Sequence, residues 1–166
     1  VSLLSDDLLS KALITVNTIQ TSEPKAKTLA ALAPRIANDL LEDALVSART
    51  IKDKHWEIEA LAALLSRLEG EKRRTVGSDV LAEAKRIGGR FESMEMEKAK
   101  VLAALSPYLT EELFEDAFLT ACKIWWEEAR AEALASFFPV LPDELLEYGI
   151  LEAQRISYGA CQVKVL

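Results

Sequence analysis

The sequence is poor in the residues that most enzymes use for chemistry. It holds one histidine, His55, and two cysteines, Cys122 and Cys161, in 166 residues. A single histidine excludes a multi-histidine metal site and leaves a histidine-based triad without local support. His55 and Glu59 stand four apart, a spacing common on helices, and His55 is expected as a solvated side chain in a loop between repeats. Two cysteines are too few for a disulfide framework and lack metal-ligand spacing, so reduced thiols are expected, with no base positioned to activate Cys122. There is no Glu-x-x-His of the di-iron bundles and no Gly-x-x-x-x-Gly-Lys-Ser/Thr phosphate loop. Gly88-Gly89 reads instead as a helix C-cap after Ile87. The expectation is no catalytic residue, no metal ligand and no cofactor site.

Other absences narrow the class further. Glycine and proline are scarce, and no apolar run approaches the ~18 residues of a membrane span. The opening Val1-Ser2-Leu3-Leu4-Ser5 has no basic leader and no initiator Met, so no signal peptide is read there, and a cytoplasmic segment of a larger protein is expected. A basic excess is missing as well: 27 acidic against 20 basic residues leave a net charge of -7. Nucleic acid is therefore a disfavoured partner, because phosphate contacts need surplus cations. The densest basic run, Lys72-Arg73-Arg74, with Lys85, Arg86 and Arg90 beyond it, is interleaved with Glu69, Glu71, Asp79 and Glu83, as on a solvated mixed-charge face.

What is abundant is leucine, alanine and internal repetition. Asp6-Asp7-Leu8-Leu9 recurs as Asn38-Asp39-Leu40-Leu41, Glu111-Glu112-Leu113-Phe114 and Asp143-Glu144-Leu145-Leu146. Each is followed at the same distance by isoleucine: Ile19, Ile51, Ile124 and Ile156. The first two isoleucines and the last two are each separated by 32 positions. A degenerate copy, Val76, Leu81, Ala84 and Ile87, fills the middle, with extra residues at Glu69–Arg74 and Gly88–Met94. The intervening segments also repeat. Ala26–Leu32, Ile58–Leu64, Ala99–Leu105 and Ala131–Phe137 share an alanine-leucine pattern, followed by Pro34, Ser66, Pro107 and Pro139.

The spacing of Leu9, Ala12, Leu13 and Val16, and of Leu41, Ala44, Leu45 and Ala48, is that of one helical face. Ser5 and Thr110 stand where a hydroxyl would cap the following helix, and Pro142 suits a first helical turn. The prolines after the short helices predict an ending or bend there. The alanines predict close helix approach and good helix formation. One hairpin cannot bury both of its apolar faces, so neighbours must stack. The expected fold is all-α, a right-handed α-solenoid of about four helical hairpins. It would form a single repeat domain over 1–166: a leading helix at 5–20, repeats at 25–53, 56–88, 97–125 and 130–157, and a tail at 158–166 expected to be disordered.

Leu29-Ala30-Ala31-Leu32-Ala33-Pro34 and Asn38–Leu45, with their copies, resemble the degenerate TPR-like or HEAT-like helical repeats of large bacterial multidomain proteins. Such repeats often form the sensor arrays of STAND-type NTPases. The first TPR helix's usual Trp, Gly and Tyr are missing from the repeated positions. The resemblance implies a non-catalytic module that binds a protein or peptide. A self-associating scaffold is the alternative, including a homodimer through the strongly apolar N-terminal helix, with a nucleic-acid-binding helical array a weaker one. Departures from the repeat supply the candidate contact residues. Trp125-Trp126 replace Lys52-Asp53, either as interface anchors or as a cover over the longer connection before them. Phe138 replaces the small Ala33. Lys72, Arg73 and Arg74 lie in an insertion expected as a surface loop.

Overall fold

The structure, a computed structural model, describes residues 6–157, apart from the side chain of Asp6. Ser5, Cys161 and the tail at 158–166 lie outside the described residues. Within them the chain is all-α, with nine α-helices, four 3-10 turns and no strand. The helices are α1 (Asp6–Thr18), α2 (Ser22–Leu32), α3 (Leu41–Arg49), α4 (Lys54–Leu65), α5 (Gly70–Arg86), α6 (Glu92–Leu105), α7 (Glu111–Cys122), α8 (Glu127–Phe137) and α9 (Asp143–Gln154). They form two compact units, Val1–Val76 and Gly77–Leu166, with the boundary inside α5.

In the first unit the alanine-rich helices α2 and α4 pack on each other, and α3 packs on both. Ala26, Leu29, Ile58, Ala60, Leu61 and Ala62 lie at the centre with 3 % exposure or less. In the second unit α6 and α8 form the equivalent pair, with α7 against both. The core there is more aromatic: Phe137 meets Phe114 edge-on at 5.4 Å and lies tilted on Phe118 at 5.8 Å. Small side chains at Ala60, Ala62, Ala131 and Ala133 allow the close approach, since each is almost fully buried. Ala31 and Ala104 face solvent instead, so helix propensity is the reason that applies to them.

The repeated isoleucines have a common structural duty. The backbone N–H groups of Ile19, Ile51, Ile87, Ile124 and Ile156 donate to the carbonyls of Val16, Ala48, Ala84, Ala121 and Ala153, at 3.0 to 3.2 Å. Each bond tightens the last turn of a long helix and satisfies a terminal carbonyl. In the degenerate middle copy the Ile87 N–H also lies 3.1 Å from the Glu83 carbonyl, so the three-residue bond there is shared with an α-helical one. Pro34, Pro107 and Pro139 each sit inside a short 3-10 turn directly after α2, α6 and α8. There the missing N–H disturbs no α-helical bond.

Four expectations are corrected. Residues 72–74 are not on a loop: α5 begins at Gly70, whose φ of 53° supplies the left-handed entry, and carries all three basic residues. His55 is in the first turn of α4, half-buried, where its backbone N–H donates to Asp53 Oδ1 at 3.0 Å. Gly88 and Gly89 do not have the left-handed backbone of a glycine C-cap. Instead the space above them is taken by Lys98 Nζ and Met94 Sδ, where a Cβ would meet those atoms at 2.9 and 2.8 Å. Thr110 precedes α7 with extended backbone, but its hydroxyl makes no cap and is buried without a partner.

Candidate functional site

Each unit has an opening that combines apolar walls with charged groups. The first is a cleft of about 390 Å³ where α1 turns into α2 beside the end of α3. Asn17, Ile19, Gln20, Thr21 and Ser22 line one side; Val46, Thr50, Ile51 and Lys52 line the other, with Lys25 between them. Lys25 is only 6 % exposed. Its ammonium donates to Thr50 Oγ1 at 2.8 Å, the Thr50 hydroxyl donates to the Ser47 carbonyl at 2.6 Å, and the Ser47 hydroxyl donates to Asn17 Oδ1 at 2.7 Å. Burial holds the Lys25 pKa below the usual lysine value.

The second is a groove of about 580 Å³ at the proline turns of the second unit. Its apolar surface comes from Pro107, Leu109, Phe114, Val140, Pro142 and Leu145, while Glu111, Glu115 and Glu144 stand around it. Phe114 is buried, Leu109 and Leu145 are half-buried, and Val140 is 45 % exposed. The carboxylates are exposed, because they fall in or near the first turns of α7 and α9, where negative charge suits the helix dipole. Ser106, which also lines the groove, is buried, and its single hydroxyl proton lies within reach of the carbonyls of Ala103 and Ser136 at 3.1 and 3.0 Å.

The residues singled out by their departure from the repeat do not gather at one place. Lys72 and Arg74 are exposed on α5, and Lys72 pairs with Glu42. Lys72 also lines a small groove of about 250 Å³ that Glu42, Arg49 and Glu71 make mixed in charge. Arg73 is half-buried, and its Nε donates to the Leu68 carbonyl at 2.6 Å. Trp125 is 50 % exposed, but its indole N–H donates to the Gly89 carbonyl at 3.0 Å, which places the ring against the Gly88–Met94 connection. Trp126 is half-buried just before α8, and Phe138 is half-buried beside Gly149. None of these six lines either larger opening.

Among the described residues, no group of three or more His, Cys, Asp or Glu side chains is placed to hold a metal ion. His55 meets Trp56 edge-on at 4.6 Å, with Nε2 3.9 Å from Glu59 Oε2. The Cys122 thiol is pushed up to about 12, first by burial and then by the charge of Glu152, so it stays protonated at neutral pH. No described helix is long and apolar enough to cross a membrane. Comparison with protein-family models, curated proteins and solved structures finds no match to the chain.

Proposed function

We propose that the chain is a non-catalytic helical-repeat interaction module, a right-handed α-solenoid of TPR-like or HEAT-like hairpins, which binds a basic peptide segment in the acidic groove of its second unit. The observation that carries this reading is the groove itself. An apolar floor of Phe114, Leu109 and Leu145 is ringed by three carboxylates, with no lysine or arginine among its lining residues. Such a surface fits a peptide with an aliphatic anchor flanked by lysine or arginine. Apolar burial supplies affinity there, and opposite charge supplies rate and register. The net charge of -7 works in the same direction over longer range. In this reading the module is a cytoplasmic sensor or docking segment of a larger bacterial protein, without cofactor, and Trp125 serves as cover for the Gly88–Met94 connection.

The test is fluorescence anisotropy with labelled peptides that present leucine between lysines and arginines. Binding is expected to weaken by about tenfold when Glu111, Glu115 and Glu144 are all changed to glutamine, and to weaken as salt rises. Equal affinity of parent and triple variant, or a preference for acidic peptides, would refute the reading.

Self-association has weaker support. Leu8 and Ile14 are the large apolar residues exposed on α1, at 50 and 67 %. They are six residues apart, hence roughly 120° apart around the helix, and do not make one stripe. The face of α9 with Leu146, Ile150 and Leu151 is broader.

A further inference from the structure

Lys25 occupies a repeated position, and the other copies show what that position normally contains. In the register that aligns Ala26 with Ile58, Ala99 and Ala131, Lys25 corresponds to Glu57, Lys98 and Arg130. All four are charged side chains with little exposure: 6 % for Lys25 as a residue, and 10, 15 and 15 % for the other three side chains. In the other three copies the residue three positions earlier carries the opposite charge. Lys54 lies 2.7 Å from Glu57, Glu95 lies 3.7 Å from Lys98, and Glu127 lies 3.9 Å from Arg130. In the first copy that residue is Ser22. Lys25 is the most buried of the three cations and, among the described residues, has no carboxylate beside it; burial lowers its pKa.

A buried ammonium without a counter-charge is costly, because desolvation is not offset by a neighbouring anion. Thr50 uses its single proton on the Ser47 carbonyl and takes one of the three Lys25 N–H groups. Two further N–H groups of Lys25 remain as donors, and the residue lines the cleft. The same cleft holds Lys52 at its edge and the start of α2, where the Thr21 side chain makes no cap. The nearest acid on α2, Glu23, is engaged by Lys27 at 2.6 Å and does not line the cleft.

We propose that this cleft is an anion site that takes a phosphate group, with Lys25 as its buried cation. Two lysines carry two positive charges at the cleft, which suits a phosphate better than a carboxylate monoanion. The start of α2 adds only the Ser22 and Glu23 amides, since Pro24 has no N–H and the Lys25 N–H donates to the Thr21 carbonyl. Hydroxyl and amide groups of Thr21, Ser22, Asn17 and Gln20 supply further hydrogen-bonding partners around it. Ile19, Val46 and Ile51 add an apolar wall, so a phosphate monoester with a small apolar substituent fits the cleft more fully than the free ion.

The experiment is a titration of the 166-residue chain with sodium phosphate, phenyl phosphate and sodium acetate, followed by backbone amide NMR shifts at constant ionic strength. Phosphate is expected to shift the amides of Thr21, Ser22 and Thr50 along one saturable curve, and acetate to bind more weakly. Tighter binding of phenyl phosphate than of phosphate assigns the site to monoesters; the reverse order assigns it to the free ion. Lys25→Met keeps the aliphatic stem but not the charge, and should weaken binding by about tenfold or more, as loss of a charge-assisted hydrogen bond implies. Ser22→Glu leaves Lys25 in place and installs the carboxylate that Glu95 and Glu127 supply to Lys98 and Arg130. Glu127 shows that a glutamate fits this position, where its Oε2 accepts from the Ser157 N–H at 3.0 Å. Ser22→Glu should abolish phosphate binding without lowering the unfolding temperature. The proposal is overturned if no saturable phosphate shift occurs, if acetate matches phosphate, or if Lys25→Met and Ser22→Glu bind phosphate as the parent does.

Discussion

The cleft beside Lys25 and the groove beside Phe114 occupy opposite ends of the hairpin unit. The cleft lies where one long helix ends and a short helix begins, past Ile19 and Ile51. The groove lies at the proline turns, where α6 leads into α7 and α8 into α9. Their charge follows from this placement. The helices that follow the proline turns open with Glu111, Glu112, Asp143 and Glu144, and these ring the proline-turn end with carboxylates. At the other end, charges at the start of the short helices are normally paired within the helix, and the serine at position 22 breaks that pairing once. One regular scaffold thus gives an acidic opening by its ordinary pattern and a cationic opening by a single departure from it.

The strongest way to break the comparison is to remove the core under either opening. Leu45 is 7 % exposed on α3, the helix that continues into Thr50 and Lys52. Leu45→Asp would bury an unpaired carboxylate and should cost about 3 to 5 kcal/mol, together with the phosphate site. Phe137→Ala should cost a similar amount, about 3 to 5 kcal/mol, and loosen the ring of Phe114 under the groove. Urea unfolding followed by circular dichroism measures both, and an unchanged midpoint for either would show that its helix face is misassigned.

Next in size is reversal of the groove's charge. Glu111→Lys with Glu144→Lys should weaken binding of the leucine–lysine–arginine peptides by roughly ten- to a hundredfold, through like-charge repulsion. Phosphate binding at the cleft should not change. If both ligands lost affinity together, the two openings would not be separate sites.

Gly149 sharpens the account of the second unit. A Cβ there would meet Leu141 Cδ2 at 2.8 Å and Phe138 Cζ at 3.4 Å. Overpacking of about 1 to 2 kcal/mol is set against a gain of about 1 kcal/mol for Ala over Gly inside a helix, so Gly149→Ala should lower the unfolding midpoint only slightly; a stabilised variant would mean that the Leu141 side chain gives way freely.

The smallest effect is on Cys122. Its thiol is raised from 9.0 to about 12 in the folded chain. The unfolded chain loses this proton first as pH climbs, so the contribution to stability is complete below pH 9 and declines toward pH 12. A Cys122→Ala variant should show a shallower loss of stability across that interval than the parent in a pH series of unfolding midpoints. The same slope in both would remove Cys122 as a cause.

Helical class was readable from the residues because burial imposes a period on them. The isoleucines that follow five helices recur at 32 positions in the outer pairs and at 36 and 37 around the middle copy, and even that degenerate copy around Leu81 and Ala84 retains its apolar register. Polar detail was less readable. Thr110 has the right type and place for a cap but turns its hydroxyl inward, and the extra residues before Val76 extend a helix instead of forming a loop. Tryptophan attracts attention as an anchor by composition, whereas the Trp125 bond to the Gly89 carbonyl joins residues far apart in sequence. The cleft posed the same difficulty, since Lys25 and Thr50 meet only in space. Its signal was present nonetheless: Ser22 stands where the aligned copies have Lys54, Glu95 and Glu127.

The most direct measurement is a pair of amide NMR titrations on one labelled sample, first with phenyl phosphate and then with the leucine–lysine–arginine peptide. The account predicts two separate sets of shifts. Phenyl phosphate moves Thr21, Ser22 and Thr50, whereas the peptide moves Leu109 to Phe114 and Val140 to Leu145. Shifts of the same amides by both ligands, or by neither, would contradict it.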